Sequence, residues 1–286
     1  TSAVRLGHAE GDELPGLVVD QLGDVLSVQF GTLGMKRRES VILDALEELV
    51  RPRAVVDRTS ERAAKSEGFT AARGVVRGAT DLSHFEFAER GLQFRIPLEL
   101  GQKTGFYVDQ RDLRARAEQL SNGRRVLDTY AFVGTFALGA ARAGATEVEA
   151  VDASSLALTV AADAAERNGL SGKIRFECED SVQALERAGR QGGFDLVICD
   201  PPKLAPTRAA RARALGLMRK ISGQAARATT PGGLLVICSC SAAIGLPELT
   251  RALSLGATDM GLRAIVLERF FQGADHPVPA AFPEGL

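Results

Sequence analysis

Asp128, Asp152, Asp180 and Asp200 each stand where an apolar, β-branched run breaks off, in "RRVLDTY", "EVEAVD", "KIRFECED" and "FDLVICD". Open parallel sheets hold ligands beyond the carboxyl ends of their strands, so an acid there faces whatever is bound. The first two acids bracket "TYAFVGTF", whose one glycine, Gly134, precedes Asp152 by 18 residues. In a strand–helix–strand unit, Gly134 would admit a ligand close to the backbone, and Asp152 would accept both hydrogen bonds of a ribose diol. Asp180 is placed to meet an adenine amino group, although a helix N-cap is a competing role for it and a local cap for Asp128. Asp200 opens "DPPK", where two prolines remove backbone donors and hold Asp200 and the Pro201 carbonyl at a pocket mouth. A further apolar run ends in "VICSCS", with Cys238 and Cys240 two residues apart.

The elements that must carry these residues alternate strictly from Arg124 onward. Apolar runs, the last of them "GGLLVICSC" and "RAIVLERFF" (263–271), are separated by helical segments. That is the pattern of a parallel sheet covered on both faces, and the fold class expected is α/β. Upstream the texture is mixed. "LPGLVVDQLGDVLSVQF" reads as two strands around a Gly-Asp turn, and Val41, Ile42, Ala45, Leu46 and Leu49 fall at helical spacing before Pro52. "AVVD" is a brief strand, and the stretch from there to Arg77 is basic and irregular. "FEFAERGLQFRIPLEL" predicts a hairpin turning at Glu89-Arg90-Gly91, and a helix is expected over 109–120 with Asp109 as its N-cap. Three regions follow: a small α+β domain over 1–80, a β-hairpin connection over 81–108, and the strand–helix domain over 109–286.

The glycine loop discriminates between nucleotide ligands. A dinucleotide site uses G-x-G-x-x-G to cradle a pyrophosphate at a helix N-terminus. Here Gly134 stands alone and Asp128 brings negative charge into the loop, which disfavours NAD and suits a cationic, phosphate-free ligand such as S-adenosylmethionine. A net charge of −1 argues against nucleic-acid binding by bulk charge alone, but leaves local basic patches open. No apolar run approaches the roughly 20 residues of a membrane span, so no membrane partner is expected. The first residues lack the pattern of a secretory signal. Cys178, Cys199, Cys238 and Cys240 show no metal or disulfide spacing, so reduced thiols and a cytoplasmic location are expected, with no metal site. A Cys238–Cys240 disulfide would be strained, and a metal would need Cys199 or a histidine to converge. On the residues alone, Cys240 is as much a core thiol as a nucleophile. Cys178, Cys199 and Cys238 read as core packing.

With these acids and "DPPK" in order, the chain resembles the class I S-adenosylmethionine-dependent methyltransferases. The stretches "LPGLVVDQLGD", "GQKTGFYVDQR", "LDTYAFVGTFALGAARAGA", "VDASSLAL", "DPPKLA", "CSCS" and "ADHPVPAAFPEGL" together resemble the bacterial large-subunit rRNA cytosine-5 methyltransferases of the RlmI (YccW) type. The likeness covers nearly the whole chain from about Arg5. It implies a Rossmann-like methyltransferase sheet after a small α+β domain that serves the RNA substrate. It also implies S-adenosyl-L-methionine held by Asp128, Tyr130, Phe132, Gly134, Asp152, Ala153, Asp180, Ser181, Asp200 and Pro201. The family's PUA RNA-binding domain and the last strand of its sheet are expected to fall outside residues 1–286.

The activity implied is 5-methylcytidine formation in 23S rRNA, free or in an assembly intermediate, by an enzyme expected to form a homodimer. Cytosine C5 is a poor nucleophile until a thiolate adds at C6. The resemblance assigns that thiolate to Cys240, with Asp200 hydrogen-bonding N3. RNA-contact candidates are Lys103, Arg111, Lys203, Arg208 and Arg211. Arg51, Arg53, Arg58, Arg62, Lys65, Arg73 and Arg77, and Arg213, Arg219 and Lys220, could also carry the backbone, although such charges are as often a solvated face. Phe106 and Tyr107 could stack on a base or belong to the core. Two other readings share these motifs: an N-methyltransferase on guanine or a protein, which needs no thiol, and an RNA-binding protein that keeps the cofactor pocket without catalysis.

Overall fold

Gly23 and Asp24 turn the chain in two residues between strands β2 (Leu17–Leu22) and β3 (Val25–Phe30), which pair from Leu22↔Val25 to Leu17↔Phe30. Gly23 takes φ +68°, a conformation that suits a residue without Cβ. This hairpin lies in a five-stranded sheet of order β1-β2-β3-β4-β5. Its other strands are β1 (Ala3–His8), β4 (Ala54–Asp57) and β5 (Gly74–Gly78). The parallel crossover from β3 to β4 carries helices α1 (Leu33–Lys36) and α2 (Glu39–Val50). Leu43, with Ile42, Leu46 and Val50, packs on Val19, Val28, Phe30 and Val55. The face of α2 is therefore rotated from the expected one, and Val41 and Leu49 are exposed. Strands β1 and β5 and helix α3 (Glu61–Glu67) arise where no element was expected. The computed structural model describes residues 1–100, 104–204, 210–241 and 244–281.

The second hairpin, β6 (His84–Glu89) and β7 (Leu92–Pro97), turns at Arg90-Gly91, both at positive φ. Such a primed turn matches the twist of the strands it joins. Phe106 is buried against Phe87 and Phe94, with ring centroids 4.8 and 5.5 Å away, so this aromatic belongs to the core and is closed to a base. Tyr107 is half-buried. Asp109 lies in a short turn (Val108–Gln110), and helix α4 begins at Arg111 and runs to Ser121, so Asp109 is not its N-cap.

Five parallel strands form the second sheet: β8 (Arg125–Thr129), β9 (Glu147–Asp152), β10 (Arg175–Cys178), β11 (Phe194–Cys199) and β12 (Thr229–Ile237). Their order is β10-β9-β8-β11-β12, so the strand order reverses between β8 and β11. This is the expected α/β, Rossmann-like arrangement, and it directs any ligand to the carboxyl ends of β8 and β11. Connecting helices are α5 (Thr135–Arg142), α6 (Ser155–Arg167), α7 (Ser181–Arg190), α8 (Arg211–Ala228) and α9 (Leu246–Asp259). Leu127, Val151, Leu185, Val197 and Ile221 form one core beneath them.

The strand expected at 263–271 does not form. That segment is irregular, with Ile265 and Leu267 exposed to 80% and 72%. The apolar pattern of a strand is present, but β12, at the sheet's edge, pairs only with β11 among the described residues. Without a ladder partner an extended apolar run gains neither hydrogen bonds nor burial.

The chain divides into two compact units, Thr1–Asp112 with Phe271–Leu286, and Leu113–Phe270. In the first, Asp275 accepts hydrogen bonds from the Arg5 amide (3.1 Å) and from Arg111 Nη2 (3.0 Å), which ties the late segment to β1. Every site acid named above lies in the second unit.

Candidate active site

The loop leaving β8 is held by its own backbone. Tyr130, Phe132 and Gly134 take φ of +60°, +51° and +72°, an alternation that turns successive amides in different directions. Four of the loop's amides have protein acceptors. Tyr130 N donates to Ser181 Oγ (3.1 Å), Ala131 N to Val151 O (3.0 Å), and Phe132 N to Asp152 Oδ2 (2.9 Å). Gly134 N donates to Ala131 O (2.8 Å). In the first turn of α5, Ala137 N donates to Asp128 Oδ2 at 3.0 Å. The helix start that a pyrophosphate would occupy in a dinucleotide site is thus already capped by a carboxylate. Gly134 also serves the packing of the sheet's helices. A Cβ there would meet Ala161 Cβ at 3.1 Å, so its bareness lets α6 approach.

Asp152 binds the loop on both oxygens, Oδ1 accepting from Ser154 N (2.8 Å). A carboxylate oxygen has capacity for two donors, which leaves one site on each for a diol. Asp180 is the N-cap of α7, its Oδ1 accepting from Val182 N and Gln183 N, both at 3.0 Å. Ser181 is buried beneath Tyr130, whose hydroxyl is pushed up by burial first, then by Cys199 and Asp180. Cys178 is exposed at the end of β10, with its thiol 3.7 Å from the Ala153 carbonyl, so it is not the core residue expected. The strand stops there, at the edge of the sheet.

At the end of β11, Asp200 follows Cys199, and its amide reaches toward Thr129 O (3.5 Å). Pro201 is buried, and its carbonyl lies 4.0 Å from Cys240 Sγ. The sequence thus brings "DPP" and "CSC", 39 residues apart, to one place. Strand β12 ends at Ile237, so the two cysteines stand in the turn beyond it and differ sharply. Cys238 is buried, with its amide on Cys199 O (2.9 Å); Cys240 is exposed. Burial pushes the Cys199 thiol up to about 12 and the Cys238 thiol well above its usual range, so neither supplies a thiolate near neutral pH.

A family model described as S-adenosylmethionine-dependent methyltransferase matches residues 69–263. The chain belongs to this family. Ribosomal RNA large subunit methyltransferase I of Serratia proteamaculans is 35% identical over 99% of this chain and 72% of its own length. The protein of the same name from Yersinia pseudotuberculosis is 34% identical with the same coverage. Among solved structures, that of SMU.776 in complex with SAH superposes with a TM-score of 0.85 at 19% identity, covering 99% of this chain and 73% of that one.

The methyltransferase's cofactor is S-adenosylmethionine, and the pocket suits its charge. Asp128 is buried, its Oδ1 has no hydrogen-bond partner among the described residues, and its carboxyl is held well above the usual range. Burial is the first cause, and the neighbouring carboxylates of Asp200 and Asp152 add to it. Three acids at one site call for a cation, and the cofactor carries an ammonium and a sulfonium. Asp128, Asp152 and Asp180 would hold it.

The sign of its pH dependence follows. Asp128 retains its proton above the ordinary carboxyl range in the free protein, while a bound cation favours the ionised form, so binding expels a proton. Cofactor affinity should therefore rise with pH until Asp128 ionises unaided. Calorimetry in buffers of different ionisation enthalpy measures that proton, and a heat independent of buffer would contradict it.

The basic residues divide. Arg111 is committed to Asp275 and the Ala3 carbonyl, and Arg211 pairs with Glu248 at 2.7 Å. Arg53 pairs with Asp24, Arg73 with Glu61, Arg77 with Asp44 and Glu47, and Arg219 with Asp259. Lys203 is exposed beside the prolines with no ion-pair partner among the described residues, and Arg213 and Lys220 are likewise unpaired on α8. Lys103 and Arg208 lie outside the described residues. Sequence reasoning also missed the bond from the Cys238 amide to Cys199 O, which joins the ends of β11 and β12. Its only signal was that "DPP" and "CSC" both end apolar runs. Among the described residues no cluster of three or more metal-ligating side chains occurs, and no helix is long and apolar enough to cross a membrane.

Proposed function

We propose that this methyltransferase forms 5-methylcytidine in large-subunit (23S) ribosomal RNA through a covalent bond between Cys240 and the target base. One observation carries the reading: the exposed thiol of Cys240 sits 4.0 Å from the Pro201 carbonyl, beside Asp200 and the acids of the cofactor pocket. The substrate class rests on the relatives' names, which specify large-subunit rRNA.

The cytosine must be unstacked to enter. Cys240 thiolate adds to C6, and the C5–C6 electron pair moves toward C5 while N3 takes a proton from Asp200 in its carboxylic acid form. Bound S-adenosylmethionine supplies the methyl group as an electrophile on a positive sulfur. A base then removes the C5 proton, the C5–C6 double bond reforms, Cys240 leaves as thiolate, and N3 returns its proton to Asp200. Lys203 stands where it can meet an RNA phosphate.

Substituting 5-fluorocytidine for cytidine in 23S rRNA tests this. After methyl transfer, C5 would carry fluorine and methyl but no proton, so elimination stops and protein and RNA remain joined. A denaturant-stable complex that forms only with cofactor is the expected result. Methyl transfer to unmodified RNA, with no complex on the fluorinated one, would sink the covalent route.

A further inference from the structure

We propose that Ser239 is a positioning residue, its hydroxyl fixing the turn from which Cys240 attacks the base; this rests on the role given to Cys240 above. Where β11 and β12 end, Cys238 N donates to Cys199 O (2.9 Å), and Cys240 stands two residues further on. Beyond that bond the turn is closed on itself. Ser239 Oγ donates to Ile244 O (3.3 Å) and accepts from Ser241 N (3.4 Å), the amide just past Cys240. Ile244 N donates in turn to Ser241 O (2.9 Å). The far end of the turn is anchored. Ile244 is buried in a small apolar cluster with Ala214, Leu204, Leu215 and Leu249, and it directly precedes Gly245, the N-cap residue of α9. Leu204 follows "DPPK", so this cluster supports both the segment that carries Asp200 and the turn that carries Cys240.

The chemistry needs such a hold. A thiolate reaches C6 across the face of the ring, whereas Asp200 meets N3 in the ring's plane. Both contacts form on one base only if the two side chains keep a set relation, and small misplacements are costly. The 4.0 Å between Cys240 Sγ and Pro201 O is the measure of that relation. Ser239 maintains it from within "CSC", because a hydroxyl can accept from one backbone group while donating to another. Alanine can do neither, and threonine can do both.

The test compares Ser239→Ala with Ser239→Thr in single-turnover methyl transfer to 23S rRNA. Ser239→Ala should slow the step about tenfold, the scale of one net hydrogen bond lost from the reacting geometry. Formation of the covalent complex with 5-fluorocytidine-containing rRNA should slow by the same factor. Steady-state KM for RNA and calorimetric affinity for the cofactor should stay unchanged. Ser239→Thr keeps the hydroxyl and should recover most of the rate. A normal rate in Ser239→Ala, equal losses in the Ala and Thr variants, or a loss confined to KM would each overturn the proposal. So would weakened cofactor binding in Ser239→Ala, which would mark general damage to the fold. An inactive Cys240→Ala beside a normal Ser239→Ala removes only the role of Ser239. Full activity in Cys240→Ala removes the reading of Cys240, and this proposal with it.

Discussion

Cys240→Ala should lower methyl transfer at least about 10³-fold, the scale of losing a covalent nucleophile, while cofactor affinity and melting temperature stay at the unmodified level. The size follows from the base. Without addition at C6, C5 has no electron pair to offer, and positioning alone cannot create one. The structural side effects should be small, because Cys240 is exposed beyond the end of β12 and its contact with Pro201 O is long. Rapid-quench measurement of methyl incorporation, with calorimetric titration of the cofactor on the same preparation, separates chemistry from binding. If the variant retains full activity, the acceptor is a nitrogen rather than a carbon, and the N-methyltransferase reading replaces this one. Full cofactor binding by the unmodified protein without transfer to any stripped rRNA would favour the non-catalytic reading.

Asp152→Ala should weaken S-adenosylmethionine binding about 10²-fold, the sum expected for two lost hydrogen bonds. The acid acts twice. Its spare lone pairs suit the ribose diol, and its occupied ones hold Phe132 N and Ser154 N. The variant therefore loses a ligand contact and loosens the loop that shapes the pocket. Thermal unfolding without cofactor isolates the second effect, with a decrease of about 1–3 kcal/mol for amides left without a partner. Unchanged affinity in a destabilised variant would show that Asp152 only organises the loop.

Asp152 and Asp200 could be found in the sequence because strand ends in a parallel sheet are legible. "EVEAVD" and "FDLVICD" are short runs rich in β-branched and apolar residues that stop at an acid, and β9 ends at Asp152 and β11 one residue before Asp200. Turn chemistry was equally legible at Gly23-Asp24 and Arg90-Gly91. What failed depended on neighbours distant in sequence. The core face of α2 is set by the sheet beneath it, so Val41 and Leu49 were misread from spacing alone. Cys178 looked like core because it ends a strand, but that strand stops at the sheet's edge. Nor does the basic run in the first unit show which of its charges are paired: Arg77 meets Glu47 and Arg73 meets Glu61, both distant in sequence. The bond from the Cys238 amide to Cys199 O was invisible, because nothing in "CSC" shows that the end of β11 lies across from it.

Tyr130 and Phe132 hold left-handed backbone conformations without being glycine. Each such residue costs about 1–2 kcal/mol relative to an ordinary conformation. The fold tolerates this because Ser181, Val151 and Asp152 each hold an amide of the loop in place. The cradle is therefore rigid before any ligand arrives, and little conformational entropy remains to be lost on binding. The thermodynamic burden of recognition falls on the unliganded protein, which is less stable than a glycine-rich loop would leave it. Affinity has been moved from the binding step into the folding step.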